Sequence, residues 1–508
     1  MFNFSRLFIV YAIAAPLAMI LGWLVSAPDN FTYMVIGMLL LFFTMPFFLK
    51  WHHVLLIVFW NAGFDFVFLP GTPHYWLVFA AISFAISFLN HIVFQKQFLH
   101  APELTRPLLF MAAMVLGTAW YRGGIGLRAM GGATNGGRYY VYILGAILGY
   151  FAFTALPIPI ARSRKMAGLF FISGVTYALS NLAYTLGAPF YFLYYFVPSA
   201  FVLGALQSDY GLTNVNRISS LQPASIAAMC FLLARYGIRG LFDWGKSWRF
   251  LCLCLTLVAA LFTGYRSLLM LLFLIFAFQF HFEGLMRTRF LPIIIGLATC
   301  GSVSFLFFAR SMPPVVQRAI SFLPVNVDSE IREDAKGTET WRYDMWAVVA
   351  KEIPKYLIIG KGYGADPTEM FLVSEANRLG MAASGFEEQL LTGDYHSGPL
   401  SVIIPFGIPG AAAFLWVLIA GCRVLFLNRR FGDARLSRIN NTLLSTYLAY
   451  GVSFFLIYGA LYSDLSIFLG LCGFSVSLNG GVRRSAAPKR KPIPARQTLA
   501  MEPGRMSV

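Results

Sequence analysis

The sequence predicts an all-α, polytopic membrane protein with about 14 transmembrane helices and one large water-facing loop, since each span needs ~20 apolar residues. Three observations carry this. First, 58% of the 508 residues are hydrophobic and 17% aromatic, while only 12% are charged. A soluble chain carries about 25% charged residues, because its surface must hold water. A soluble globular enzyme, a disordered chain and a secreted disulfide framework are therefore excluded. Second, the apolar residues fall in runs of membrane-crossing length. Third, the excess of basic residues behind the net charge of +17 lies in short segments between those runs. That placement encodes topology rather than a nucleic-acid patch, so no nucleic-acid partner is expected.

Taken in order, the apolar runs lie near 7–25, 31–49, 54–70, 75–94, 107–120, 139–157, 166–186, 221–238, 247–263, 265–280, 290–309, 398–421, 441–460 and 464–479. The first follows Arg6 and ends at Val25-Ser26-Ala27, which faintly resembles a cleavage site. It is long for a signal-peptide core and further runs come at once, so it reads as an uncleaved helix. All six cysteines sit in or beside apolar runs and read as small buried side chains, not as a disulfide framework.

Segment 189–206 contains Pro189, Pro198 and the cluster Phe190-Tyr191-Phe192-Leu193-Tyr194-Tyr195-Phe196. If it does not cross, the basic segments 50–53, 95–106, 161–165, 235–249, 281–289 and 422–440 share one side with both termini. That side then holds 25 Lys and Arg against five in the short loops opposite. Positive charge is retained in the cytoplasm, so 189–206 reads as re-entrant or interfacial and both termini as cytoplasmic. The expected organisation is a membrane bundle over 1–309, an outer cap loop over 310–397, further membrane helices over 398–480 and a disordered basic tail over 481–508. The cap stands apart in composition, with 13 of the 22 acidic residues.

The five basic residues in the short outer loops are Arg122, Arg128, Arg138, Arg217 and Arg266. None is Lys. A guanidinium offers a planar fork that matches phosphate oxygens, so a phosphorylated lipid head group is a candidate ligand. Snorkelling, or pairing with cap carboxylates, is the plainer account of Arg122, Arg128 and Arg138. Arg266 sits in the tight turn Thr263-Gly264-Tyr265-Arg266-Ser267, where a charge requires a partner. Among the histidines, only His74 and His396 face outward. His396, in Gly393-Asp394-Tyr395-His396-Ser397-Gly398-Pro399-Leu400, has a near-neutral imidazole suited to taking a proton from a hydroxyl. No acidic pair reads as a metal site, and no cofactor is expected. Asp65, inside an apolar run, is expected to pair with Arg122 or Arg138.

Four pieces in order resemble the O-antigen ligase and O-antigen polymerase superfamily of bacterial membrane glycosyltransferases. Asn216-Arg217-Ile218-Ser219-Ser220-Leu221-Gln222-Pro223-Ala224 is similar to the family's outer-face Arg before a helix. The Tyr265-Arg266 turn is similar to its Ser-Arg-Gly turn. Trp341-Arg342-Tyr343-Asp344-Met345-Trp346, with Ile359-Gly360-Lys361-Gly362-Tyr363-Gly364 after it, is similar to its Arg-x-x-x-Trp helix and glycine-rich turn. His396 with Leu400, Gly407 and Gly410 is similar to its His-Asn-x-x-Leu element and subsequent glycines. The resemblance covers roughly residues 205–420. Ser397, Tyr265 and Gln222-Pro223-Ala224 depart from the family pattern.

The resemblance implies a GT-C-like bundle in the bacterial inner membrane with its active site facing the periplasm. It implies an undecaprenyl-diphosphate-linked glycan donor, a glycan or lipid-linked glycan acceptor, and polysaccharide-assembly proteins as partners. The reaction would be metal-independent and inverting, as a polysaccharide polymerase or O-antigen ligase. His396, Arg266 and Arg217 are the expected catalytic residues, and Arg342, Arg138 and Arg122 the expected diphosphate- or glycan-binding ones. The alternative is a flippase for lipid-linked oligosaccharide or a polysaccharide transporter.

Overall fold

The structure is a computed structural model that describes residues 15–16, 18–19, 22, 30–69, 71–123, 137–202, 217–364, 367–379 and 386–484. Most of the expected first span, Arg128 and nearly all of the tail lie outside the described residues. Among the described residues the chain is helical, with a lone antiparallel bridge between Asp65 and His74. In chain order the helices are α1 Asn30–Phe59, α2 Tyr75–Phe94, α3 Pro102–Arg122, α4 Gly137–Thr154, α5 Ile160–Ile172, α6 Leu179–Leu186, α7 Leu221–Leu241, α8 Trp248–Leu261, α9 Arg266–Phe282 and α10 Phe290–Phe308. Five short or polar helices come next, α11 Pro314–Ile320, α12 Ser329–Ala350, α13 Ile353–Tyr356, α14 Pro367–Arg378 and α15 Glu387–Thr392. The chain closes with α16 Gly398–Phe431, α17 Ser437–Leu456 and α18 Leu461–Asn479.

Among the described residues, six stretches are long and apolar enough to cross a membrane: Tyr75–Phe94, Ile160–Leu186, Leu221–Leu241, Phe290–Ser311, Gly398–Phe431 and Leu461–Asn479. The expected separate spans 31–49 and 54–70 need correction. One 30-residue helix, α1, runs through Lys50-Trp51-His52-His53, and the described residues between Phe59 and Tyr75 are non-helical. Nothing between Phe47 and Phe59 breaks a helix, whereas Gly63, Pro70, Gly71 and Pro73 punctuate the chain beyond Phe59. The segment after α6 folds as a 3₁₀ helix over Ala188–Tyr195. At ~2.0 Å per residue it reaches only about half of a bilayer core.

Helices α4 and α18 pack closely in the centre, with α16, α17, α7 and α9 around them, in one continuous apolar core. Helix α10 is largely exposed, as a lipid-facing helix would be. The segment between Phe308 and Gly398 forms a cap on one end of the bundle. Its attachment is specific. Gly407 interrupts α16 with φ +64°, freeing backbone groups of the preceding turn. The cap fills them: Lys361 and Gly362 N–H donate to the carbonyls of Ile404 (2.8 Å) and Pro405 (3.0 Å), and Ile408 N–H donates to the Leu357 carbonyl (2.8 Å). A broken helix in a membrane needs such replacement partners. Gly360 permits the approach, since a Cβ there would lie 2.0 Å from the Pro405 carbonyl oxygen.

The basic segments 161–165, 235–249, 281–289 and 422–440 meet around one cavity at the far end of α7. The 21 residues of α7 separate that end from the cap, about 30 Å at 1.5 Å per residue.

Candidate active site at the junction of cap and bundle

The turn between α8 and α9 places Arg266 at the first residue of α9. Its guanidinium reaches the cap helix α12, donating to Glu339 Oε1 at 2.5 Å and to the Ala335 carbonyl at 2.9 Å. Arg217, just before α7, lies over the Tyr265 ring at 5.7 Å and packs against Gly264. Its Nε is buried without a hydrogen-bond partner among the described residues. Burial, and next the Arg318 charge, hold its pKa below the ordinary arginine value.

Arg342 projects from α12 over the Tyr458 ring at 5.9 Å. Its pKa is also lowered, mainly by burial, and the charges of Arg266 and Arg318 push the same way. Arg318, on α11, reads in the sequence as no more than one of the cap's basic residues. It is 4% exposed and donates to Asp334 (2.5 Å), Thr338 (2.9 Å) and the Gly264 carbonyl (3.4 Å). It ties α12 to the Arg266 turn. The sequence signal for it is a lone Arg within the apolar stretch Val315-Val316-Gln317-Arg318-Ala319-Ile320. Arg318 thus lies within electrostatic reach of both Arg217 and Arg342, and Arg342 of Arg266 as well.

His396 joins them. Its ring packs against Trp341 (5.6 Å) and Tyr458 (5.5 Å), the ring that also faces Arg342. Its backbone is left-handed, φ +47°, an uncommon state for a non-glycine residue. The Arg342-x-x-x-Trp346 spacing accounts for how this is held. Residues four apart share a helix face, so Trp346 accompanies Arg342 to the junction and its indole N–H donates to the Tyr395 carbonyl at 2.8 Å. Burial lowers the His396 pKa; the Asp394 carboxylate partly opposes this and Arg342 adds to it. The Asp394 Oδ1 to His396 Nδ1 distance is 3.6 Å, too long for a hydrogen bond.

Two expected site residues lie elsewhere. Arg122 donates to the carbonyls of Gly360 (2.8 Å) and Ile359 (3.3 Å), clamping the cap's glycine-rich turn. Arg138 bonds Tyr142 Oη at 2.9 Å and lines a cavity of about 540 Å³ with His74, Trp76, Tyr450 and Tyr462, reaching Thr392 of the cap. The expected partner of Asp65 also needs correction: it pairs with His74 Nδ1, brought opposite by the bridge between the two residues, and not with Arg122 or Arg138. Among the described residues no group of three or more His, Cys, Asp and Glu side chains is disposed to hold a metal ion.

No curated protein matches the chain. Residues 250–415 match the family model described as O-Antigen ligase. That stretch contains Arg266, Arg318, Arg342 and His396, and Arg217 precedes it. The match supports, over that stretch of a multi-helix membrane protein, the resemblance to the O-antigen ligase and polymerase superfamily.

Proposed function

We propose that the protein transfers a glycan from an undecaprenyl-diphosphate-linked donor to an acceptor hydroxyl at the periplasmic face of a bacterial inner membrane. The chain would cross about 14 times with both termini cytoplasmic, acting as a polysaccharide polymerase or O-antigen ligase in cell-surface or exopolysaccharide assembly. The observation that carries this reading is the gathering of Arg217, Arg266, Arg318 and Arg342 beside an imidazole at the cap junction.

In the reaction the bond from the sugar's anomeric carbon to the diphosphate oxygen breaks, and the lipid diphosphate leaves with the electron pair. Fixed guanidinium groups near a low-dielectric interface stabilise that developing charge. We assign this to Arg217, Arg266 and Arg342, with Arg318 holding the turn and helix that carry two of them. The acceptor oxygen bonds to the anomeric carbon from the opposite face, inverting it, and its proton passes to His396. The lowered pKa of His396 keeps it neutral, and so able to accept a proton, at neutral pH. Arg138, with the aromatic cavity beside it, is assigned to the glycan.

The test is turnover by purified protein in detergent with a lipid-diphosphate oligosaccharide and an acceptor, read as longer glycan and released lipid diphosphate. Wild type should turn over equally with and without a chelator. Arg266→Ala and His396→Ala should abolish turnover while still reaching the membrane. An intact cellular glycan profile in both membrane-inserted variants would refute the reading, and dependence on a divalent ion would refute its metal-independent form.

A further inference from the structure

The end of the bundle away from the cap holds a second charged site that the transfer reaction does not use. Four separate segments converge there on a cavity of about 940 Å³. Its lining includes Arg164, Arg235, Arg239, Arg249, Arg289, Arg435 and Arg438, and no lysine. The same segments carry Lys165 and Lys246, and neither lines the cavity. A requirement for cytoplasmic positive charge is met equally by either residue type, so it does not account for the selection of Arg. The planar fork that binds phosphate oxygens in pairs does.

The charge is also largely uncompensated. Two carboxylates line the cavity. Glu283 is engaged by the backbone N–H of Ile238 (3.0 and 3.1 Å) and by Gln279 Nε2 (2.7 Å), at the kink that Gly237 makes in α7. Asp243 accepts from Gly245 N–H at 3.1 Å and lies 3.9 Å from Arg249. Arg435 is chelated by Asp433. Among the described residues, Arg164, Arg235, Arg239, Arg289 and Arg438 have no carboxylate within ion-pair distance. Arg249 is fixed against the Tyr236 ring at 4.4 Å, with its Nε buried and unpartnered.

The surroundings decide which phosphate compound this is. Trp244 lines the cavity and is 81% exposed, and Trp248, beside Arg249, is 50% exposed. Exposed indoles at the end of a membrane bundle mark the head-group layer. We propose that this cavity binds the phosphate head group of an anionic phospholipid, a lipid with two phosphates filling it best. Basic pockets between transmembrane helices at this level bind such head groups. The inference is independent of the glycan-transfer reading.

The test uses the full-length protein, delipidated in neutral detergent. Native mass spectrometry and thermal unfolding would monitor titration with cardiolipin, phosphatidylglycerol, phosphatidylcholine and inorganic pyrophosphate. Cardiolipin should be retained most strongly and raise the melting temperature, and phosphatidylcholine should do neither. The variant Arg235→Gln/Arg239→Gln/Arg438→Gln should bind cardiolipin about 100-fold more weakly, at roughly five-fold per arginine near a membrane surface. The separate pair Arg164→Gln/Arg289→Gln, on exposed side chains, should weaken it about 25-fold and guards against misfolding of the triple variant. Neutralising Lys50 and Arg423, at the same end but outside the cavity, should leave binding unchanged. Equal loss in that control reduces the effect to bulk surface charge and overturns the site. Unchanged cardiolipin binding in both cavity variants overturns it too, and stabilisation by pyrophosphate alone overturns the lipid assignment.

Discussion

Trp346→Phe tests how the imidazole is held. The substitution keeps most of the ring and deletes the N–H that donates to the Tyr395 carbonyl at 2.8 Å. Tyr395 is 2% exposed, so water does not replace the lost donor, and an unpaired buried carbonyl costs about 1–3 kcal/mol. The next residue is His396 at φ +47°, and holding a non-glycine residue there costs about 1–3 kcal/mol. The bond and the strain it opposes are therefore of one size. Without the bond, relaxed backbone conformers compete, and a net shift of about 1.4 kcal/mol lowers the correctly placed fraction ten-fold. Release of lipid diphosphate by the purified variant should show kcat reduced about ten-fold, with the pH profile in place and folding intact. In a His396→Ala background the same substitution should add nothing. A kcat within two-fold of wild type, or a further full loss in the His396→Ala background, refutes the positioning argument.

Three other outcomes rest on the same geometry. Arg318 and Asp334 are 5% and 29% exposed in their side chains, so Arg318→Met should destabilise by about 3 kcal/mol and Arg318→Met/Asp334→Leu by clearly less. A double-mutant cycle in mild denaturant reads this, and additive losses contradict a coupled pair. Asp394→Asn removes the carboxylate that raises the His396 pKa, and Arg342→Gln removes a cation that lowers it. Loss of rate as His396 protonates should move to lower pH in the first variant and to higher pH in the second, measured from kcat/KM across pH; shifts in one direction count against His396 as the base. Gly360→Ala drives a methyl group into the Pro405 carbonyl and should loosen the cap by about 1–3 kcal/mol. Limited proteolysis of the cap reports it, and Gly117→Ala, with nothing within 4 Å, is the silent control.

What the sequence made legible, and what it hid, divides along physical lines. Helical class came from composition and run length, because a bilayer leaves backbone polar groups few other partners. Of the six basic segments that charge sidedness groups together, four meet around one cavity. Helical spacing put Arg342 and Trp346 on one face, though not what Trp346 holds. The run from 31 to 70 misled, because Lys50 and two histidines resemble a loop in a hydropathy profile while nothing in them opposes a helix. Arg318 was hidden by its segment: net charge over a whole loop does not distinguish a solvated arginine from a buried one. The Asp65–His74 pair was hidden because the intervening residues fold back through a turn that carries no periodic signal.

The absence of lysine from the cap-side cluster has a reason beyond fork geometry. Arg217, Arg318, Arg342 and Arg266 form a run of partly buried neighbours in which Asp334 and Glu339 supply the close carboxylates. Like charges in a low dielectric favour loss of a proton. Lysine yields to that pressure: in this same cap, burial lowers the pKa of Lys361. A lysine among three guanidinium groups would meet burial and repulsion together, and could relieve both by becoming neutral. Arginine does not lose its proton in proteins, so the repulsion persists until an anion relieves it. In the proposed reaction the excess positive charge would then be available at the moment a diphosphate leaves, which a titratable cation at the same position would not guarantee.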